Sequence, residues 1–265
     1  MIPLPSQPKI VEKKENSAIF EIAGLYPGYG VTVGNSLRRV LLSSLPGAAV
    51  TQVKIKGAQH EFSTLPGVME DVITILLNIK QLRFKLHTDE PQRATLSIKG
   101  IKIVKASAFE VPSQLELVSK DAHLATLTAK SSSLDIEILV EKGLGYEPVE
   151  ARKIGKLEIG TIAVDAIFTP VRKVSFRVEN MRVGEKTDFD KLILELETDG
   201  TLTPEEVFSQ AADILVKHFT LLQESFKEVA APLGGEPRPK RIGREKPIKK
   251  KLVKKHEKKT KRKKV

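Results

Sequence analysis

Apolar residues at every second position dominate the first 200 residues of the chain. The clearest runs have apolar side chains at 134, 136, 138 and 140, at 174, 176 and 178, and at 192, 194 and 196. Segments 50–55 and 95–103 show the same alternation. A period of two is typical of strands with one buried face, and turn residues separate the runs. We therefore predict antiparallel sheets for most of this region.

Three segments have helical patterns instead. We predict helices over about 36–45, over about 68–79 and from residue 203 to about 229. The third begins with a strong start signal, because Pro204 takes the first helical position and Glu206 completes a capping box. We therefore expect helices as well as strands in this region.

The net charge of +11 comes from the end of the chain. Residues 236–265 carry 16 of the 44 Lys and Arg and 3 of the 33 Asp and Glu, which leaves 28 basic and 30 acidic residues before them. Such a lysine-rich segment cannot bury a core, so we predict a disordered basic tail over 231–265. We expect it either to bind polyanions such as nucleic acid or merely to aid solubility. The basic residues expected to bind are Lys249, Lys250, Lys251, Lys254, Lys255, Lys258, Lys259, Lys261, Arg262, Lys263 and Lys264.

Composition and motifs argue against several classes of protein. The chain has no cysteine, no apolar signal-peptide core in its first twenty residues and no apolar run of membrane-spanning length. The histidines lack metal-ligand spacing, and adjacent Glu70 and Asp71 point to different faces of a helix, where we expect them to favour its amino-terminal end. Asp188 and Asp190 are interpreted as a turn leading into a strand. We expect a cytoplasmic protein with no membrane contact, no cofactor, no metal and no catalytic residue.

The stretch GYGVTVGNSLRRVLLSSLPG at 28–47 could form either a phosphate-binding loop or a helix that contacts another protein. Its glycines at 28, 30 and 34 are one residue too widely spaced for a dinucleotide-binding loop. On a helical wheel, Leu37, Val40, Leu41 and Leu45 form one stripe. Leu42 and Arg39 lie outside it, three residues apart, and we interpret them as a contact patch; a solvated arginine beside a partly exposed leucine is the alternative.

The third helix repeats apolar residues with heptad spacing. Its seam contains Phe208, Ala212, Leu215, Phe219, Leu222, Phe226 and Val229. A helix packed on its own sheet and a helix-to-helix dimer both explain this pattern.

Several long motifs resemble the bacterial RNA polymerase α subunit family in its amino-terminal region. They are the stretch 28–82, Gly-Leu-Gly-Tyr at 143–146, IGTIAVDAIFTPVRKVSFRVEN from Ile159 and TDFDKLILELETDGTLTPEE from Thr187. They occur in the family's order, and the resemblance covers roughly residues 5–230.

The resemblance implies a homodimer that nucleates polymerase assembly, one copy binding the β subunit and the other β′. It implies an α+β fold, with a dimerisation domain of antiparallel sheet and helices over 1–46 and 171–230 and an inserted β-rich domain over 47–170. The family's β-contacting arginine falls on Arg39 and its nearby leucine on Leu42, whereas a lysine implicated in β′ contact falls on Lys80. It also places the third helix, with Phe208, Ala212, Leu215, Phe219, Leu222 and Phe226, in the dimer interface.

The chain departs from the family pattern at two places. Leu144 stands where an arginine is common, and the basic tail follows where most members continue into a helical domain that binds promoter DNA and activators. We expect an assembly subunit of a bacterial, nucleoid-associated polymerase, with nucleotidyltransferase chemistry supplied by the partners. The alternative is a free-standing dimeric nucleic-acid-binding protein that carries a polybasic tail.

Overall fold

The alternating segments form strands throughout the described part of the chain. The structure, a computed structural model, describes residues 2–152 and 158–227, with side chains to residue 225. In these residues the strands are β1 (Lys9–Lys13), β2 (Ser17–Leu25), β3 (Pro46–Ile55), β4 (Phe84–Leu86), β5 (Gln92–Lys99), β6 (Lys102–Lys105), β7 (Leu115–Leu117), β8 (His123–Leu127), β9 (Ser133–Leu144), β10 (Tyr146–Glu147), β11 (Thr161–Ala163), β12 (Ala166–Ile167), β13 (Val171–Val183) and β14 (Lys186–Thr198). The α-helices are α1 (Tyr29–Ser43), α2 (Val72–Lys80) and α3 (Pro204–Lys227), with 3-10 turns at Ala106–Ala108 and Val149–Ala151. The α+β prediction is confirmed.

Two antiparallel sheets organise these strands. The four-stranded sheet has the order β1-β2-β14-β13 and so joins the first two strands of the described residues to the last two. The six-stranded sheet has the order β5-β9-β3-β4-β7, with β11 beside β3. Two-stranded sheets form between β6 and β8 and between β10 and β12. We call residues 2–45 and 170–227 the four-stranded side and the described residues of 46–169 the six-stranded side.

Helices α1 and α3 build the core of the four-stranded side. Leu37 and Leu41 of α1 are at most 5 % exposed, and Val207 and Ala211 of α3 are completely buried. The ring of Phe208 in α3 stacks on Phe20 of β2, with centroids 4.7 Å apart. Apolar pairs such as Phe176 with Leu194 face each other across the β13–β14 hairpin, as the alternation predicts.

A second core lies beneath α2 on the six-stranded side. Val72, Ile75 and Ile79 of α2 are completely buried, as is Ile138 of β9. Strand β6 contributes the buried Val104 to the same cluster, so the β6–β8 pair is part of this core.

The observed boundaries correct three details of the prediction. Helix α1 begins at Tyr29 and not near Ser36, so two of its glycines lie inside the helix. Helix α2 begins after Asp71, whose carboxylate accepts a hydrogen bond from the Thr74 N–H at 2.8 Å and fixes the first turn. Segment 95–103 is two strands, because Gly100 turns the chain with a φ of +82°.

The start of α3 is confirmed. The Glu206 N–H donates to Thr203 Oγ1 at 3.3 Å, and the Thr203 N–H donates to Glu206 Oε2 at 3.0 Å. Its predicted end at Val229 and the basic tail lie outside the described residues. No helix in the described ranges is long and apolar enough to cross a membrane.

Candidate protein-contact surfaces

A carboxylate from β14 closes the amino-terminal end of α1. Oδ2 of Asp190 accepts hydrogen bonds from the N–H groups of Gly28 and Gly30, each at 2.9 Å. A helix amino terminus attracts anions, and here the chain supplies its own. The glycine-rich stretch therefore binds an internal carboxylate where a phosphate loop would bind a nucleotide. Asp188 and Asp190 lie within β14, so their interpretation as a turn is wrong.

The two glycines inside α1 allow the helix to lie close to the sheet. A Cβ atom at Gly30 would lie 2.7 Å from Cγ1 of Val178, and one at Gly34 would lie 2.7 Å from Cδ2 of Phe176. Real Cβ atoms do not approach so closely, which explains why glycine occupies these positions despite its low helix propensity. Close packing on β13 and β14 fixes which face of α1 points outward.

Arg39 and Leu42 lie on that outward face. Arg39 is exposed and Leu42 is 39 % exposed, whereas Leu37 and Leu41 of the same helix are buried. The predicted separation of this pair from the core stripe is confirmed. Arginine is enriched at the energetic centres of protein interfaces, and the exposed Leu42 adds apolar area beside it.

Lys80 ends α2 and forms an ion pair. Its Nζ lies 3.0 Å from Oδ2 of Asp165, and both side chains are about one-third exposed or less. The hydrogen bond from Lys80, together with one from the Val149 N–H to Oδ1, holds the pKa of Asp165 below its ordinary value. Sequence reasoning missed Asp165, because 85 residues separate it from Lys80 and it stands alone between apolar residues.

An apolar cleft of about 310 Å³ borders this ion pair. Phe62, Leu77 and Ile162 contribute to its walls, and the first two are 72 % and 54 % exposed. The cleft was also missed, because Phe62 lies in an irregular loop without a periodic pattern. An open apolar cleft beside a charged pair suits a side chain of a partner protein.

The predicted seam of α3 divides between two environments. Phe208 and Leu215 pack against the four-stranded core, and Ala212 is half-buried. Phe219 and Leu222, one to two turns further on, are 61 % and 56 % exposed. The side chain of Phe226 lies outside the described residues. Packing on the helix's own sheet therefore accounts for the first part of the seam only.

The Gly-Leu-Gly-Tyr motif at 143–146 lies on the surface. Leu144 and Tyr146 are 54 % and 57 % exposed, so Leu144 puts an apolar side chain on the surface. Within residues 2–152 and 158–227, no group of three or more His, Cys, Asp or Glu could hold a metal ion.

Sequence similarity to known proteins shows the family of the chain. A family profile described as RNA polymerase Rpb3/RpoA insert domain matches residues 53–169. The protein named DNA-directed RNA polymerase subunit alpha in Roseiflexus sp. (strain RS-1) is 45 % identical over 232 residues, covering 85 % of this chain and 71 % of that protein. The protein of the same name in Carboxydothermus hydrogenoformans is 49 % identical over 217 residues, covering 81 % and 69 %. The chain belongs to the family of bacterial DNA-directed RNA polymerase α subunits.

Proposed function

We propose that this chain is the assembly subunit of a bacterial RNA polymerase, a homodimer on which the β and β′ subunits gather. The observation that carries the proposal is the exposed apolar end of α3 in a member of the α subunit family. Two more surfaces, at Arg39 with Leu42 and at the apolar cleft beside Lys80, provide separate places for partners. The chain contributes to nucleotidyltransferase activity only as part of the complex, and the partners supply the catalytic residues.

The dimerisation role falls on Phe208, Ala212, Leu215, Phe219, Leu222 and Phe226. Exposed large apolar side chains on one helix face cost free energy in water and favour burial against another protein surface. Because Phe219 and Leu222 continue the line of partly buried seam residues, a second α3 is the natural cover.

The β-contact role falls on Arg39 and Leu42, and the β′-contact role on Lys80. Arg39 offers a planar donor group, and Leu42 offers apolar area beside it. Lys80 is held by Asp165 next to the apolar cleft, so this surface combines charge with a pocket for an apolar side chain.

The domain organisation and the cellular location follow from this role. We propose a dimerisation domain over 1–46 and 171–230 and an inserted domain over 47–170. The protein would work in the cytoplasm at the nucleoid, with the polymerase.

Capture of β and β′ by the tagged full-length chain tests the proposal. Arg39→Ala should weaken capture of β about tenfold or more, because arginines at interface centres contribute about 2 kcal/mol. Arg38→Ala is the matched control, since Arg38 is the exposed neighbour in the same helix. Lys80→Ala should weaken capture of β′ instead. Failure of the wild-type chain to capture either subunit would contradict the proposal.

A free-standing nucleic-acid-binding protein is the second candidate, because the excess positive charge is concentrated in residues 236–265. Nucleic-acid-binding domains carry basic patches on folded surface, whereas residues 1–235 hold slightly more acidic than basic residues. Copurification of the native protein without any large subunit would favour this candidate.

A further inference from the structure

Arg83 and Asp199 form a buried ion pair between the two sides of the molecule. Arg83 lies between α2 and β4 on the six-stranded side, and Asp199 lies between β14 and α3 on the four-stranded side. Nε of Arg83 is 3.1 Å from Oδ2 of Asp199, and the side chains are only 15 % and 4 % exposed. The contact is an ion pair without good hydrogen-bond alignment.

This pair differs from the other ion pairs of the described residues. Each of the others joins two groups on the same side of the molecule, and each is more exposed. Exposed ion pairs contribute little to stability, whereas removing one partner of a buried pair leaves a charge without compensation. A change in the orientation of the two sides that separated Arg83 from Asp199 would therefore cost free energy.

Both partners are also tied to backbone groups. Nη1 of Arg83 donates to the carbonyl oxygens of Lys80 and Leu82, at 3.2 and 3.1 Å. Oδ1 of Asp199 accepts from the N–H and the hydroxyl of Thr201, at 3.0 and 2.6 Å. The end of α2 and the turn before α3 are thus joined through two side chains whose own positions are fixed.

We propose that Arg83 is a positioning residue that sets the orientation of the six-stranded side relative to α3. Through its ion pair with Asp199, Arg83 keeps the distance between the end of α2 and the start of α3 constant. The end of α2 carries Lys80. The consequence for polymerase assembly rests on the proposed function: the β′-contact surface keeps a fixed placement relative to the dimer seam.

Distance measurements between spin labels test the proposal directly. The natural chain has no cysteine, so Thr74→Cys on α2 and Ser209→Cys on α3 introduce only the two labels. The labelled full-length chain is co-assembled with an excess of unlabelled chain, so that the measured distances lie within one copy. Arg83→Ala should replace a single narrow distance distribution with a broad one.

Matched variants separate positioning from general destabilisation. Asp199→Asn keeps an acceptor for Thr201 but removes the charge, and it should broaden the distribution as well. The double variant should broaden it no further than the single variants, because both remove one interaction. Arg83→Lys keeps the charge and should retain part of the narrow population. Arg93→Ala, which breaks an ion pair with Glu137 within the six-stranded sheet, should leave the distribution unchanged.

An unchanged distribution in folded Arg83→Ala and Asp199→Asn variants would overturn the proposal. If Arg83→Ala does not fold, the Asp199→Asn and Arg83→Lys variants decide the question. Capture experiments provide a separate readout, in which Arg83→Ala should lose β′ while retaining β. Failure of the wild-type chain to capture β′ would contradict the proposed function and leave the distance result intact.

Discussion

Asp190 reaches across 160 residues of sequence to the first turn of α1. Its carboxylate accepts hydrogen bonds from two N–H groups that have no partner within the helix. Asp190 itself is only 7 % exposed. Gly30 serves the same contact, because a Cβ atom there would lie 3.0 Å from the carboxylate oxygen. A glycine pattern that suggests ligand binding is in this case an internal helix cap.

Asp190→Asn should destabilise the fold by about 1 to 2 kcal/mol, because it removes a buried negative charge from a helix amino terminus. Asp188→Asn is the matched control, two residues earlier on the same strand and exposed. Urea unfolding of the full-length chain measures the loss of stability in each of the two variants. Equal stability of the two variants would show that the charge of Asp190 has no such role.

At the scale of elements, the sequence predicted the type of most segments and the faces of two helices. The alternation in β9, β13 and β14 needed no tertiary information, and the capping box located the start of α3. The start of α1 could not be predicted, because Gly30 and Gly34 are tolerated only through contacts with β13 and β14. The Lys80–Asp165 pair could not be predicted either, since it depends on how two distant segments meet.

Leu222→Glu tests the exposed end of α3 as a dimer interface. The side chain is 56 % exposed in the single chain, so the fold should tolerate the change, while a charge buried in an apolar seam should cost several kcal/mol in dimerisation. Leu215→Glu is less selective, because Leu215 also packs on its own core. Thr220→Glu places the same charge on another face of α3. Analytical ultracentrifugation should find a monomer for Leu222→Glu and a dimer for Thr220→Glu; a monomeric wild type at micromolar concentration would refute the interface.

The loop before α2 should respond to acid through Glu70. Burial would raise the pKa of Glu70, but hydrogen bonds from Thr126 and His123 outweigh it and hold the pKa below its ordinary value of 4.5. The folded state therefore favours the carboxylate. Its contribution to stability is complete above the ordinary value and is lost as pH falls through the lower, folded pKa.

Comparison with Glu70→Gln measures this contribution. The difference in unfolding free energy between wild type and Glu70→Gln should shrink as the pH is lowered from 6 towards 3. Glu61→Gln, which removes an exposed carboxylate nearby, is the matched control. A difference that is constant with pH would contradict the assignment.

For the whole molecule, charge divides the chain into two parts. Residues 1–235 are nearly neutral and carry the proposed contact surfaces, whereas residues 236–265 carry 16 basic residues and no aromatic side chain that could stack on bases. Binding of nucleic acid by such a tail should depend on phosphate neutralisation and hardly on base sequence.

Deletion of residues 236–265 should abolish retention on a nucleic-acid column while leaving dimerisation and capture of β and β′ intact. Replacement of Lys249, Lys250 and Lys251 by Gln should reduce the slope of log affinity against log salt by about 2 to 3, at roughly 0.9 per charge. The same three positions changed to Arg should keep the wild-type slope. If the truncated chain elutes from the column at the same salt concentration as the full-length chain, residues 1–235 and not the tail bind the nucleic acid.

The pairing of β2 with β14 also has a consequence for the order of events on the ribosome. About 160 residues are synthesised between these strands, which takes roughly 10 to 30 s at bacterial elongation rates. During that interval β2 can pair with β1 only, and the first turn of α1 awaits the carboxylate of Asp190. The described strands from β3 to β12 pair among themselves and can fold as they emerge. The middle of the polypeptide is thus complete before its beginning, and a nascent chain must keep β2 and α1 from aggregating until β14 has been synthesised.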